Sequence, residues 1–244
     1  DTIKDIQKKY LLNKYKKPNL KRVEIIAIDE ISIGHGHKYL TVVLNMRTGE
    51  VIFVGDGKGA DSLKPFWKML QKRRSKIKAV AIDMSPAFIE AVKTNLKNAA
   101  IVFDHFHIVK LFNDKLSDLR RDLYNEAKDK MEKDVLKGTR WLLLKNSVNL
   151  DDEKNERQRL QEALDLNKPL AMAYYMKEDL NQIWLQENKE KAEIFLKDYI
   201  ERASSSGIKM LIKFAKTLVA HRYGILAYYD YPISTAKLEG TNNK

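Results

Sequence analysis

The stretch Val23-Glu24-Ile25-Ile26-Ala27-Ile28-Asp29-Glu30 decides the fold. Its β-branched and apolar run reads as a strand buried in a sheet, closing on an acid at Asp29. A second run of the same kind, Lys78-Ala79-Val80-Ala81-Ile82, also stops on an acid, Asp83, and Met84-Ser85-Pro86 follow. Two more strands, Tyr39 to Asn45 and Val51 to Gly55, lie between them. They are joined through Thr48-Gly49, where glycine can take the positive φ of a hairpin turn. Leu63, Phe66, Trp67 and Leu70 recur at helical spacing and return the chain over the sheet before the strand at Lys78. Ser85 then stands as an N-cap with Pro86 at the first helical position, and Phe88, Ile89, Val92 and Leu96 form the apolar stripe that follows. With a fifth short strand at Ala100 to Phe103, the order is β-β-β-α-β-α-β, an α/β layer with a mixed sheet.

Beyond Asp104 the strand pattern stops. Phe112, Leu116, Leu119 and Leu123 mark one long helix. Later stripes are Leu180, Ile183 and Trp184, then Ala192, Phe195, Leu196 and Tyr199, then Leu211, Ile212, Ala215 and Leu218. Asn146 to Asn155 reads as a polar loop, Ser204-Ser205-Ser206-Gly207 as a helix break, and Tyr231-Pro232 as the end of the helices, with Ser234 available to cap a last one. The sequence holds no internal repeat.

Composition narrows the function classes. Over 244 residues, 45 Lys plus Arg against 33 Asp plus Glu give a formal net charge of +12, a field that attracts a polyanion. Nucleic acid is the first candidate partner. No apolar run approaches the roughly 20 residues that span a bilayer, and no signal-peptide pattern opens the chain, so an intracellular protein is expected. Zero Cys removes disulfides, thiolate nucleophiles and Cys-ligated zinc. The chain opens on Asp1 rather than Met and stops at Lys244, and it reads as a fragment with both flanks missing. Residues 1–22 carry Lys4, Lys8, Lys9, Lys14, Lys16, Lys17, Lys21 and Arg22 against Asp1 and Asp5, a basic connecting segment that either stays solvated or touches phosphate.

If the first and fourth strands are neighbours, Asp29 and Asp83 approach each other although 83 − 29 = 54 positions separate them. Carboxylates that close repel unless a cation neutralises them. With an acid in a distant helix, at Glu239 in Leu-Glu-Gly-Thr-Asn-Asn-Lys, they make an oxygen-ligand site for a divalent metal. Two such ions roughly 4 Å apart suit in-line displacement at phosphorus. Spacing alone does not single out Glu239, and a single Asp at a strand end is more often a turn or helix cap.

The segments Ala27-Ile28-Asp29-Glu30, Ala81-Ile82-Asp83-Met84-Ser85-Pro86, Phe103-Asp104-His105-Phe106-His107, Arg140-Trp141-Leu142-Leu143-Leu144 and Leu238-Glu239-Gly240-Thr241-Asn242-Asn243-Lys244 resemble, in order, the DDE transposases of the ISL-three group of bacterial insertion sequences. The resemblance implies an RNase H-like mixed sheet with flanking helices, and a large all-helical insertion before the last catalytic acid. It makes Asp29, Asp83 and Glu239 the catalytic and metal-binding triad, served by two Mg²⁺ or Mn²⁺ ions. Water and then a 3′-hydroxyl are the implied nucleophiles. The implied partners are transposon-end and target DNA and further copies of the chain, in the bacterial cytoplasm on the nucleoid. Family members also carry an N-terminal zinc-binding and helix-turn-helix region that this sequence lacks. The resulting division is a connecting segment at 1–22, the first part of the core at 23–109, the helical insertion at 110–232 and the truncated third-acid helix at 233–244. The alternatives are a structure-selective nuclease on the same fold, and an inert DNA-binding or assembly protein derived from a transposase.

Several residues carry two readings. Asp104 and His107 are a helix N-cap and a packed first-turn residue, or, as the resemblance implies, a pair beside the active site in which His107 polarises phosphate or braces a ligand. His35 and His37 are explained most simply by a glycine-supported turn, and otherwise by a metal pair. Packing of Trp141 beside three leucines is the simpler account of that indole; stacking on an unpaired base is the alternative. Arg120, Arg121, Lys137 and Arg140, with Lys244 at the end of the third-acid motif, are the cations placed against phosphate, and a solvated helix face explains the first four nearly as well.

Overall fold

The computed structural model of the protein describes residues 2–3, 5–6, 20–33, 38–73 and 76–233. Most of the basic segment, the His35 and His37 turn, Ser234, Glu239 and Lys244 lie outside the described residues. The chain divides into two units, residues 1–102 with 233–244, and residues 103–232.

The first unit is built on strands β1 (Ile25–Ser32), β2 (Tyr39–Asn45), β3 (Glu50–Asp56), β4 (Ala79–Ile82) and β5 (Ala100–Phe103), the last residue of β5 being counted with the second unit, and on helices α1 (Lys64–Arg73) and α2 (Pro86–Asn95). The sheet order is β3-β2-β1-β4-β5. β1 to β3 form an antiparallel meander, closed at Thr48-Gly49 where Gly49 takes φ 76° and its N–H donates to Asn45 O. β1 and β4 run parallel, so a crossover is required between them, and the segment carrying α1 supplies it. The sheet is therefore mixed, and its order and directions are compatible with an RNase H-like fold.

Burial follows the hydrophobic runs. Ile26, Ala27 and Ile28 in β1 and all four residues of β4 are buried, as are Leu63, Phe66, Trp67 and Leu70 on the returning segment. The Phe53 and Phe66 rings meet at 5.4 Å and fasten α1 to β3. Removing a buried ring such as Phe66 typically costs about 3–5 kcal/mol. Two local expectations need correction. Asp29 does not end its strand, because β2 continues to pair with Glu30, Ile31 and Ser32. Ser85 holds the N-cap position and Pro86 the first turn, but the Ser85 hydroxyl makes no cap bond; its N–H donates to Asp83 instead.

The second unit is helical: α3 (His105–Glu126), α4 (Lys130–Gly138), α5 (Arg140–Leu144), α6 (Glu156–Leu166), α7 (Lys168–Leu180), α8 (Lys189–Ser205) and α9 (Lys209–Leu226). Asp104 caps α3, accepting from Phe106 N–H at 2.9 Å. The expected stripe of α3 buries Phe112 and Leu116, and Phe112 meets Phe214 of α9 edge-on at 4.8 Å. Tyr199 is wholly buried, and its hydroxyl donates to Met176 O at 3.0 Å, so α8 is registered on α7 by a satisfied polar contact. No helix among the described residues is long and apolar enough to cross a membrane.

Gly224 permits a close approach within this unit. A Cβ there would lie 2.4 Å from the ring of Phe103, which is 1 % exposed and also packs against His221 and Tyr223. Overpacking of this kind costs about 1–3 kcal/mol, against about 1 kcal/mol gained in helix propensity. Gly224→Ala is therefore expected to destabilise the protein by about 1–2 kcal/mol in chemical denaturation; a more stable variant would contradict this packing.

Candidate active site and nucleic-acid interface

The parallel register pairs Ile25 with Ala79, Ile26 with Val80 and Ala27 with Ala81, a constant offset of 79 − 25 = 54. Continued two residues, the same offset sets Asp29 level with Asp83, the residue just after β4. Neighbouring strands lie about 4.8 Å apart, and level residues on parallel strands share a face. Both aspartates are half-buried. Each accepts a local backbone N–H, Asp29 from Glu30 at 2.8 Å and Asp83 from Ser85 at 2.9 Å, which fixes its carboxylate near the main chain.

Glu30, next in sequence, is turned to another task. Alternation along β1 sends it to the opposite face from Asp29, where its carboxylate accepts Gly59 N–H at 2.9 Å. That bond belongs to a set holding the loop after β3. Thr41, the cross-strand partner of Glu30, donates to Gly57 O, and Ser62 bridges Thr41 and Gly59 O at 2.7 Å each. Of two adjacent acids, one therefore braces a loop while the other lies level with Asp83.

A pair of half-buried carboxylates at one level is a donor set that fits a hard divalent cation, which takes oxygen ligands and tolerates water in its remaining positions. Glu239 lies outside the described residues, and no group of three or more His, Asp or Glu that could hold a metal occurs among the described residues. In the helical unit, Asp104 is buried and acts as the cap described above. His107 Nε2 lies 3.7 Å from Asp104 Oδ2, close enough for an ion pair when the imidazole is protonated and too long for a hydrogen bond.

The basic residues divide by environment. Arg120 is half-buried; its Nη1 donates to Leu136 O at 3.0 Å, and its Nε is buried without a hydrogen-bond partner. Burial, reinforced by the positive charges of Arg140 and Arg121, holds its guanidinium below the ordinary value. The solvated-face account therefore fails for Arg120, which braces the last turn of α4. Arg121 is exposed and pairs with Asp118 at 3.0 Å. Lys137 and Arg140 are exposed. Trp141 is corrected from its expected place in the core: it is 66 % exposed, because the five-residue α5 buries Leu142 and Leu143 and turns the indole outward. The Arg140 guanidinium stacks on it, 4.8 Å from the ring centre.

Lys177 is a functional candidate that the sequence reading missed. It is 4 % exposed on α7, and its ammonium donates to Leu143 O at 2.9 Å and Lys145 O at 2.5 Å. The signal was its phase: Leu170, Ala173, Lys177 and Leu180 share one buried face.

A mixed sheet whose register carries two aspartates toward one level, in the unit that bears nearly all of the chain's net positive charge, and an exposed Arg-Trp stack in the helical unit are features that suit a protein acting on nucleic acid. Comparison with known sequences gives the family: the profile of the ISL-three DDE transposases, described as "Transposase", matches residues 26–244. The chain is 33% identical, over 99% of its length and 60% of the relative's, to "Transposase for insertion sequence element IS1001" of Bordetella parapertussis. It is 26% identical, over 93% of its length and 55% of the relative's, to "Transposase for insertion sequence element IS1557" of Mycobacterium tuberculosis. The chain belongs to this transposase family. It spans 55–60% of the length of these curated relatives.

Arg120 and Arg121 provide a contrast in stability. Arg120→Ala leaves Leu136 O with the Thr139 hydroxyl as its side-chain donor and empties a half-buried site, with an expected loss of about 1–3 kcal/mol. Arg121→Ala removes only an exposed ion pair and should change stability by less than about 0.5–1 kcal/mol. Equal losses in urea denaturation would show that Arg120 has no bracing role.

Proposed function

We propose that the chain is the catalytic core of a DNA transposase that cuts the ends of its element and joins the freed strands to target DNA. The observation that carries this reading is the parallel register of β1 and β4, whose offset, carried two residues past its last pair, brings Asp29 level with Asp83 just after β4. In this reading the sheet is an RNase H-like core spanning 23–109 and 233–244, the helices at 110–232 are an insertion, and residues 1–22 connect to the rest of the protein. Asp29, Asp83 and Glu239 hold the divalent ions, Mg²⁺ or Mn²⁺. The chemistry such ions supply when bound is charge stabilisation at the attacking and leaving oxygens of the phosphate. The local N–H donors fix the two aspartates so that little reorganisation accompanies binding. His107 is assigned to the scissile phosphate by its place in the Asp104-His105-Phe106-His107 motif.

Arg121, Lys137, Arg140 and Lys244 are assigned to DNA phosphates, with Arg120 acting from behind them. Like charges at 120, 121 and 140 repel, and a phosphate relieves that repulsion. Trp141 with Arg140 forms a platform for an unpaired base at the transposon end, since an exposed indole keeps a free π-face. Binding by more than one copy is expected of an enzyme that joins two ends, and the bacterial nucleoid is its place of action.

The test is strand cleavage by purified protein on its element's ends. Asp29→Asn and Asp83→Asn should each abolish cleavage while leaving DNA affinity nearly unchanged, since affinity rests on the basic surface. Cleavage at the wild-type rate by Asp83→Asn would overturn the assignment. Replacing Arg121, Lys137 and Arg140 with Ala should flatten the log-log salt dependence of duplex affinity by up to about three units, at roughly 0.9 per lost contact. An unchanged slope would remove the helical unit from the DNA interface.

A further inference from the structure

Helix α5 is one and a half turns long, too short to hold its own geometry, because helices of this length are marginal in water. Yet it carries the exposed Trp141 and the Arg140 stacked on it. Its C-terminal carbonyls are orphans that need donors. Lys177 supplies them from α7: one ammonium binds Leu143 O and Lys145 O, the last turn of α5 and the residue that ends it. A positive charge at a helix C-terminus also opposes the negative end of the dipole.

The ammonium is held in turn. Glu178 Oε1 lies 2.8 Å from it, and the Tyr174 ring centre 4.6 Å. The other oxygen of Glu178 accepts both Ser147 N–H and Ser147 Oγ–H, at 3.2 and 2.7 Å. Two neighbouring residues of α7 thus grip the segment 143–147 at three points. Farther along, Lys145 Nζ and Asp151 N–H both bind Glu156 Oε2, at 2.5 and 2.9 Å. A buried ammonium is costly to desolvate, and burial pushes Lys177 below its ordinary value despite Glu178. An apolar side chain would fill the same space without that cost, which points to a need for the position it enforces.

We infer that Lys177 is a positioning residue that sets the direction in which Trp141 and Arg140 present themselves to a distorted or unpaired DNA end. It acts through the last turn of α5 and touches no DNA. The inference rests on the reading of Trp141 as a base platform, and its test keeps the two apart.

The full chain is labelled with 5-fluorotryptophan, and its three indoles, Trp67, Trp141 and Trp184, are followed by ¹⁹F NMR. Trp67 and Trp184 are 5 % and 8 % exposed, so they report on the core of each unit while Trp141 reports on α5. Affinities are measured for a short duplex with one extrahelical adenine and for the same duplex fully paired. Trp141→Ala should reduce the preference for the extrahelical base about tenfold, the worth of one base–aromatic stack. Lys177→Met should reduce it similarly and shift or broaden the Trp141 resonance, with the other two resonances and paired-duplex affinity unchanged. If Lys177→Met displaces all three resonances, Lys177→Gln, which keeps a donor for one carbonyl, carries the comparison with a smaller loss expected. A Trp141→Ala protein that keeps its preference would overturn the base-platform reading, and the Lys177 inference with it. A Lys177 variant that keeps both the preference and the Trp141 resonance, while Trp141→Ala loses the preference, would overturn the positioning role alone.

Discussion

The parallel pairing of β1 with β4 is the constraint from which the α/β unit's chemistry follows. A parallel ladder admits one offset wherever its strands are buried, because a slip of one residue turns every side chain to the wrong face. Here Ile26, Ala27 and Ile28 and the whole of β4 are buried, so an offset of 54 is enforced by packing along the strands. Carried two residues past the last pair of the ladder, that offset brings Asp29 level with Asp83 as a by-product of burying their apolar neighbours. Two unit charges about 5 Å apart repel by on the order of 3 kcal/mol at an effective dielectric near 20. The backbone N–H groups of Glu30 and Ser85 offset part of this, and a divalent cation would reverse it.

The helical unit, in the reading proposed, presents charge from the long α3 and an aromatic surface from the five-residue α5. Positive residues at 120, 121 and 140 oppose one another, and an indole left 66 % exposed forgoes the burial that a core position would give it. Buried polar contacts hold the arrangement: Arg120 on the carbonyl of Leu136, Lys177 on those of Leu143 and Lys145, and Tyr199 on that of Met176. The Lys177 contacts satisfy carbonyls at the end of α5, and those of Arg120 and Tyr199 add a side-chain donor to carbonyls within or beside helices.

The sheet was legible because its strands are apolar runs bounded by turn residues. The Tyr39 and Ala100 strands fall where the patterns put them, and the Gly49 turn has its expected positive φ. Hydrophobicity says less about where a strand ends when pairing outlasts the apolar run, as β1 does through Glu30 to Ser32. The level placement of two aspartates could be framed from sequence only on the assumption that β1 and β4 are neighbours. Trp141 was read inward because leucines follow it, but a helix of five residues has too few positions to bury all of them. Lys177 escaped notice because a lysine in a buried phase has no pattern of its own; its role exists only once the carbonyls it serves are in place. Glu30 and Asp29 are alike in sequence, and only the alternation of β1 and the loop at Gly59 distinguish them.

The most direct measurement of the central claim is a double-mutant cycle on metal binding. Mn²⁺ affinity is determined by calorimetry for the wild-type chain, Asp29→Asn, Asp83→Asn and the double variant. If the two carboxylates share one cation site, each single substitution removes most of the affinity and the second removes little more, so the effects are strongly non-additive. Independent, additive losses, or affinity untouched by either substitution, would show that the level placement of Asp29 and Asp83 does not make a metal site.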